Sequence, residues 1–203
     1  MTLLALILAV SVRWLPGFVE TGEANPIVRW LPGFVEPGEA NPMAVVTNLG
    51  FTAGYDKSIH CPRWVAYDLK PEMVVKGSRP SCAFRPDPKI GAASDAEPFY
   101  RSVPGFDRGH LCPSADMAYS PDAQRETFYY SNVCPQRHAL NAGEWLATEE
   151  EVRRLAASGT VHVVIVPLDF WYSEKTGPAY ARPTRFVKVA YGAFGAKVWE
   201  VKE

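Results

Sequence analysis

The feature that most limits the fold of this chain is that a single stretch, Ala139 to Ala157, carries a long helical pattern. Within it Leu140, Trp145, Leu146, Val152 and Leu155 supply a stripe for burial, and Gly159 stands where a helix would stop. Elsewhere, short apolar runs alternate with turn residues. Val45 to Leu49, Trp64 to Leu69 and Val161 to Val166 are predicted strands, and Phe186 to Val189 and Val198 to Val201 add two more. Phe106 to Leu111 and Phe128 to Val133 are two further predicted strands, joined by an Ala-rich, Ser-Pro-Asp-containing connection with room for a short helix. The 18 prolines and 15 glycines agree with short elements and many turns. The reading is an α+β chain with a mixed or antiparallel sheet core, in which strand, strand and helix follow one another before Gly159.

A chain of 203 residues accommodates one domain with an appendage. Its 47% hydrophobic and 21% charged residues exclude wholesale disorder and a membrane bundle. The apolar run Leu3 to Val12 is about half the ~20 residues of a spanning helix, so no membrane partner is expected. Its length suits the apolar part of a signal peptide, although no Lys or Arg precedes it and no small-x-small cleavage site follows. A secreted or periplasmic location is therefore expected ahead of a cytoplasmic one. Val12 to Pro26 (VRWLPGFVETGEANP) then recurs as Val28 to Pro42 (VRWLPGFVEPGEANP), a tandem duplication too short for a self-stacking solenoid. Residues 1–42 are read as an appended segment and 43–203 as the functional domain. With a net charge of −1, no global positive field marks a polyanion partner, and any nucleic-acid binding must come from local arginines.

Two clusters carry chemistry. In Gly105-Phe106-Asp107-Arg108-Gly109-His110-Leu111, residues two apart share a strand face, so Arg108 and His110 are predicted to point together and Asp107 and Gly109 away. A histidine takes a proton near neutrality and an arginine matches a phosphate oxygen. On the long helix, Asn141, Trp145, Glu149 and Arg153 stand four apart and drift by only ~40° per step, forming one ridge. Asn141 and Glu149 are ~12 Å apart along the axis, awkward for ligating one ion together. If Asn141 holds a hard cation, Glu149 holds one of its waters, an arrangement that suits Mg²⁺. Taken singly, His110 reads as a satisfied surface histidine and the ridge as a solvated face with a Glu149–Arg153 pair.

Taken together, FDRGHL at 106–111, TFYYSNVCPQ at 127–136 and LNAGEW at 140–145 closely resemble the DNA/RNA non-specific endonuclease family, whose active site is a ββα-metal motif. NLGFTAGYD, PRWVAYDL, FRPDP and PTRFVKV resemble it too, so that the likeness runs from about Met43 to Val189. The resemblance implies an endonuclease hydrolysing phosphodiester bonds of DNA and RNA without regard to the sugar, dependent on Mg²⁺ or another divalent cation such as Mn²⁺. It implies His110 as general base, Asn141 as the direct metal ligand and Glu149 as the holder of metal-bound water. Arg85, Arg108 and Arg153 would contact or stabilise the phosphate, and Asn132 would support the site. Two positions depart from the family: its Thr-Gly-Pro is Val166-Pro167-Leu168 here, and its later histidine is Arg185. Both fall on scaffold and substrate edge.

Cys61, Cys82, Cys112 and Cys134 permit three pairings if all are bridged, and Cys112 and Cys134 are candidate neighbours across the site. The rival reading takes His110, Cys112, Cys134 and His138 as a structural Zn²⁺ set in a zinc-stabilised binding module. It leaves Arg108, Asn141 and Glu149 without a task. A catalytically inactive nucleic-acid binder of the same fold is the other alternative.

Overall fold

A computed structural model describes residues 43–77, 80–172 and 180–203. The apolar run, the duplication and thus the whole 1–42 unit lie outside the described residues. Six strands form one antiparallel sheet: β1 (Met43–Thr47), β2 (Thr52–Asp56), β3 (Cys61–Leu69), β6 (Val161–Tyr172), β7 (Ala181–Gly192) and β8 (Gly195–Lys202), hydrogen-bonded in that order. Between β3 and β6 the chain leaves the sheet and builds α1 (Glu97–Ser102), β4 (Phe106–His110), α2 (Pro121–Glu126), β5 (Val133–Arg137), α3 (His138–Asn141) and α4 (Glu144–Ala156). β4 and β5 pair antiparallel as a separate two-stranded ribbon, with His110 opposite Val133 and Asp107 opposite Gln136.

The continuous apolar run of β6 has a simple cause: both faces of the strand are covered. Val161, Val163 and Ile165 join the main core with Leu69, Phe186, Ala190 and Val201, where Trp145, Val152 and Ala156 of α4 pack. Val164 and Val166 point the other way and meet Trp64. Burying each large side chain contributes roughly 1.5–3 kcal/mol before entropy is charged against it, so α4 is held by its apolar stripe rather than by helix propensity. The short α2 starts where its sequence says it should, with Pro121 at its first position and the Ser120 hydroxyl accepting from the Ala123 amide at 3.4 Å.

The fold class agrees with the sequence reading, and four local expectations are corrected. The helix predicted over 139–157 is broken at Ala142 and Gly143 into α3 and α4. Gly143 adopts φ −110°, ψ −108°, and a Cβ there would lie 2.4 Å from the Ala139 carbonyl oxygen, so only glycine lets the chain turn this tightly. Leu146, assigned to the buried stripe, is 39% exposed. The strand predicted over Phe128 to Val133 begins only at Val133, because Tyr130–Asn132 form a 3-10 turn and the aromatic side chains are buried against Phe84, Phe99 and Tyr100 rather than laddered. β2 was not foreseen: Ala53 and Gly54 dilute its pattern, and Gly54 is needed because the Trp64 indole lies where its Cβ would be, at 2.1 Å.

Candidate active site

His110 closes β4, and its ring sits between Phe84 (centroids 5.3 Å apart) and Phe128 (5.0 Å, edge-on). It opens onto a cavity of ≈ 320 Å³ that Asn141 and Glu149 also line, together with Ser114 and Gln124. The three residues assigned to base, ligand and water holder therefore meet in one place, although they come from β4, α3 and α4. The break between α3 and α4 frees Asn141 and Glu149 from the fixed spacing of a single helix.

Directional bonds hold this arrangement. The Asn141 Nδ2 donates to Asp107 Oδ2 at 2.9 Å, and His138 Nδ1 meets the same oxygen at 2.8 Å. Asp107, predicted to point away from the site, thus ties β4 to α3 and orients the proposed ligand. With its nitrogen committed to Asp107, the amide has its Oδ1 left as a donor to a cation. The Trp145 indole donates to the His110 carbonyl at 3.0 Å. Asn132 is fully buried: it accepts from Cys112 N at 2.8 Å and donates to the Cys112 and Thr127 carbonyls at 2.8 and 3.0 Å. It pins the chain just after His110, in keeping with a supporting role. Asp107, Trp145 and Gln124 are the residues that sequence reasoning missed here. Asp107 sits inside the quoted motif, and Trp145 was counted as core.

The arginines are placed differently. Arg108 shares a face with His110, as expected, with Phe84 between them (5.8 Å from the guanidinium to the ring). Its guanidinium lies on Tyr100 at 4.5 Å and pairs with both oxygens of Glu97 at 2.9 and 2.8 Å. Burial raises the Glu97 carboxyl pKa, but hydrogen bonds from Tyr130 and Arg108 more than offset it and hold the group below its usual value. Arg85 stacks on Tyr129 at 4.6 Å and donates to the Cys82 sulfur and the Ala83 carbonyl. Arg153 does not line the cavity: it pairs at 2.7 Å with the fully buried Asp116, which also accepts from the Tyr67 hydroxyl at 2.8 Å. Arg185, on β7 between β6 and β8, pairs with Asp169 at 2.6 Å.

Glu149 is pushed above the usual carboxylate range by burial, with Asp116 adding to the effect and Lys188 and Arg153 opposing it. Two oxygen donors, the Asn141 amide and the Glu149 carboxylate, fit a hard divalent cation that keeps several of its waters. The rival zinc set does not converge. Among the described residues no three His, Cys, Asp or Glu side chains gather so as to hold a metal ion, Cys134 lies 3.5 Å from the sulfur of Cys61, and His138 is turned to Asp107. All four cysteines are free thiols, with Cys61, Cys112 and Cys134 buried.

Two strands followed by a helix, with a histidine, an amide and a carboxylate on one open cavity, have the arrangement of a ββα-metal nuclease fold and make this cavity the candidate active site. The family model for the DNA/RNA non-specific endonuclease matches residues 36–201, and the chain belongs to that family. It is 39% identical over 118 residues to the mitochondrial nuclease EXOG of Danio rerio, covering 56% of this chain and 34% of the relative. Endonuclease G of Homo sapiens is 36% identical over 151 residues (66% and 50%), and the mitochondrial nuclease 1 of Schizosaccharomyces pombe 32% over 158 residues (70% and 49%). The chain thus spans between a third and a half of the length of these relatives. A chain in the crystal structure of the EndoG/EndoGI complex, which addresses the mechanism of EndoG inhibition, superposes with a TM-score of 0.68 at 28% identity, covering 78% of this chain and 73% of that one. The relatives are mitochondrial nucleases, which overturns the expectation of a secreted or periplasmic protein.

Proposed function

We propose that residues 43–203 form a metal-dependent endonuclease that hydrolyses phosphodiester bonds of DNA and RNA without regard to the sugar. The observation that carries this reading is the convergence of His110, Asn141 and Glu149 on one cavity. His110 takes the proton of the attacking water, the task for which an imidazole is best matched near neutral pH. Asn141, oriented by Asp107, would hold Mg²⁺ or a similar cation directly, and Glu149 would hold it through a water. When bound, the cation offsets charge that builds on the phosphate oxygens. Arg85 and Arg108 flank the aromatic surface of Phe84, Phe128 and Tyr129 beside His110 and supply cations for the substrate phosphates. Arg153 acts through its field from behind the site, since it does not line the cavity and pairs there with the buried Asp116. Contacts of this kind go to the backbone and carry no base information, so cleavage is sequence-tolerant and salt-sensitive.

Incubation of plasmid DNA and of RNA with the purified chain, with Mg²⁺ and with EDTA, tests the reading. Cleavage of both polymers with Mg²⁺ and its loss in EDTA are expected. Cleavage that persists in EDTA would remove the metal from the account, and intact polymers under both conditions would remove the activity.

A further inference from the structure

The PTRFVKV stretch has no task in the site described so far, yet its lysine occupies an unusual position. Lys188 lies on β7 opposite Ile165, and its side chain is fully buried beneath α4. A lysine is almost never fully buried unless its charge is met by specific partners. Here the ammonium lies 3.8 Å from the centroid of the Trp145 ring, a cation–π contact, and donates to the Thr148 hydroxyl at 2.7 Å. That hydroxyl in turn donates to the Trp145 carbonyl at 2.7 Å. The charges it faces are the carboxylates of Asp116 and Glu149 and the guanidinium of Arg153, with the Cys112 thiol alongside. The other end of the indole donates to the His110 carbonyl at 3.0 Å.

We propose that Lys188 is a positioning residue: by fixing the plane of Trp145 from beneath, it aims the indole N–H at the His110 carbonyl and so sets the place of the imidazole in the cavity. Three specific contacts bear on the orientation of the indole within the core, namely the ammonium on its face, the tilted ring of Phe186 (centroids 5.4 Å apart) and the carbonyl of His110. Of these, the ammonium alone combines a charge with a position, because its nitrogen is also tied to Thr148. A cation on the ring face draws electron density toward itself, which makes the N–H on the ring edge a stronger donor. Replacing the ammonium with an apolar group of equal length keeps the volume and loses both effects. The inference rests on His110 acting in cleavage, and one arm of its test does not.

The test uses the full chain with Lys188→Met, which preserves length, Trp145→Phe, which keeps a ring without an N–H, and the double variant. The indole N–H signal of Trp145 in the NMR spectrum is assigned by its absence in Trp145→Phe. Lys188→Met is expected to fold, to speed exchange of that N–H by roughly 10-fold, and to lower kcat by roughly 10- to 100-fold with KM held within about 3-fold. In the Trp145→Phe background, Lys188→Met should cost no more than about 2-fold in kcat, because the two residues act in series. An indole signal unchanged in Lys188→Met, or losses that multiply in the double variant, would overturn the proposal. Should Lys188→Met fail to fold, Thr148→Val removes the hydroxyl that receives the ammonium and that donates to the Trp145 carbonyl. It is expected to speed indole exchange in the same direction, and unchanged exchange there overturns the proposal equally. If the wild-type chain cleaves nothing, the nuclease reading falls while the exchange data still decide whether Lys188 holds Trp145.

Discussion

The six-stranded sheet and the β4–β5 ribbon are built on opposite economies of force. In the sheet, strands such as β6 and β7 are paired from His162 to Tyr172, and apolar side chains on both faces share the stabilisation among many residues. The ribbon has five paired positions, and its geometry depends on a few directional bonds: Asn132 to Cys112 and Thr127, Trp145 to His110, and Asp107 to Asn141. Where stability is distributed, a substitution costs energy and leaves geometry alone. Where it rests on single bonds, a substitution of similar size moves an atom that reacts.

Substitutions in the two regions can break or sharpen that contrast. The largest effect is expected for His110→Ala, with cleavage slowed on the order of 10²- to 10⁴-fold while circular dichroism stays that of a folded chain. An undiminished rate in the folded variant would take His110 out of the chemistry. Asn132→Ala strands the Cys112 N–H and carbonyl in a buried place and is expected to cost about 1–3 kcal/mol in urea unfolding. It should also reduce activity under conditions where the variant is fully folded, and full activity there would make Asn132 a scaffold residue only. Ile165→Val, in the middle of the sheet, should cost about 0.5–1.5 kcal/mol with kcat unchanged. A fall in kcat would show that apolar packing in the sheet, and not only the Lys188 contact with Trp145, sets site geometry.

The smallest effect is expected at Glu97. Because its carboxyl is held below its ordinary value, its contribution is present above the unfolded pKa of about 4.3 and is lost as pH falls through the lower, folded value. Glu97→Gln should therefore melt slightly lower than wild type at pH 7, by a difference of at most about 1 kcal/mol, and the two curves should merge in acid. A gap that widens on acidification would contradict the sign of the shift.

The sequence revealed the fold class, the strand–strand–helix order and the cavity residues for one reason: each is carried by local pattern or by a motif of consecutive residues. His110, Asn141 and Glu149 could be named because their residue types limit their chemistry. What escaped was relational. The helix break at Gly143 depends on the Ala139 carbonyl nearby, and a glycine inside a helical pattern announces no such contact. Asp107 was read only as pointing away from Arg108 and His110, because strand alternation says which face a side chain leaves from, not that it reaches Asn141. Arg153 had the right residue type, but its partner Asp116 lies 37 positions away, and no spacing rule links them. Leu146 carried the apolar pattern and proved exposed, since it stands about 100° round the helix from Trp145, off the buried line of Trp145, Thr148, Val152 and Ala156, and lines the cavity.

The pairing of β3 with β6, with Leu69 opposite Val161, also bears on how the molecule is assembled in time. Residues 70–160, which include every group assigned to the cavity, form the connection between two neighbouring strands. Joining those strands closes a loop whose length-dependent entropy alone is about 4 kcal/mol, and nothing within the sheet repays it until the seam has zipped. A nascent chain that has emerged as far as Ala156 therefore carries His110, Asn141 and Glu149 but lacks the surface against which Trp145 packs. The surface that seats Trp145 is complete only once β6, β7 and β8 have been added, and the β3–β6 seam is a non-local pairing of the kind that slows folding across proteins.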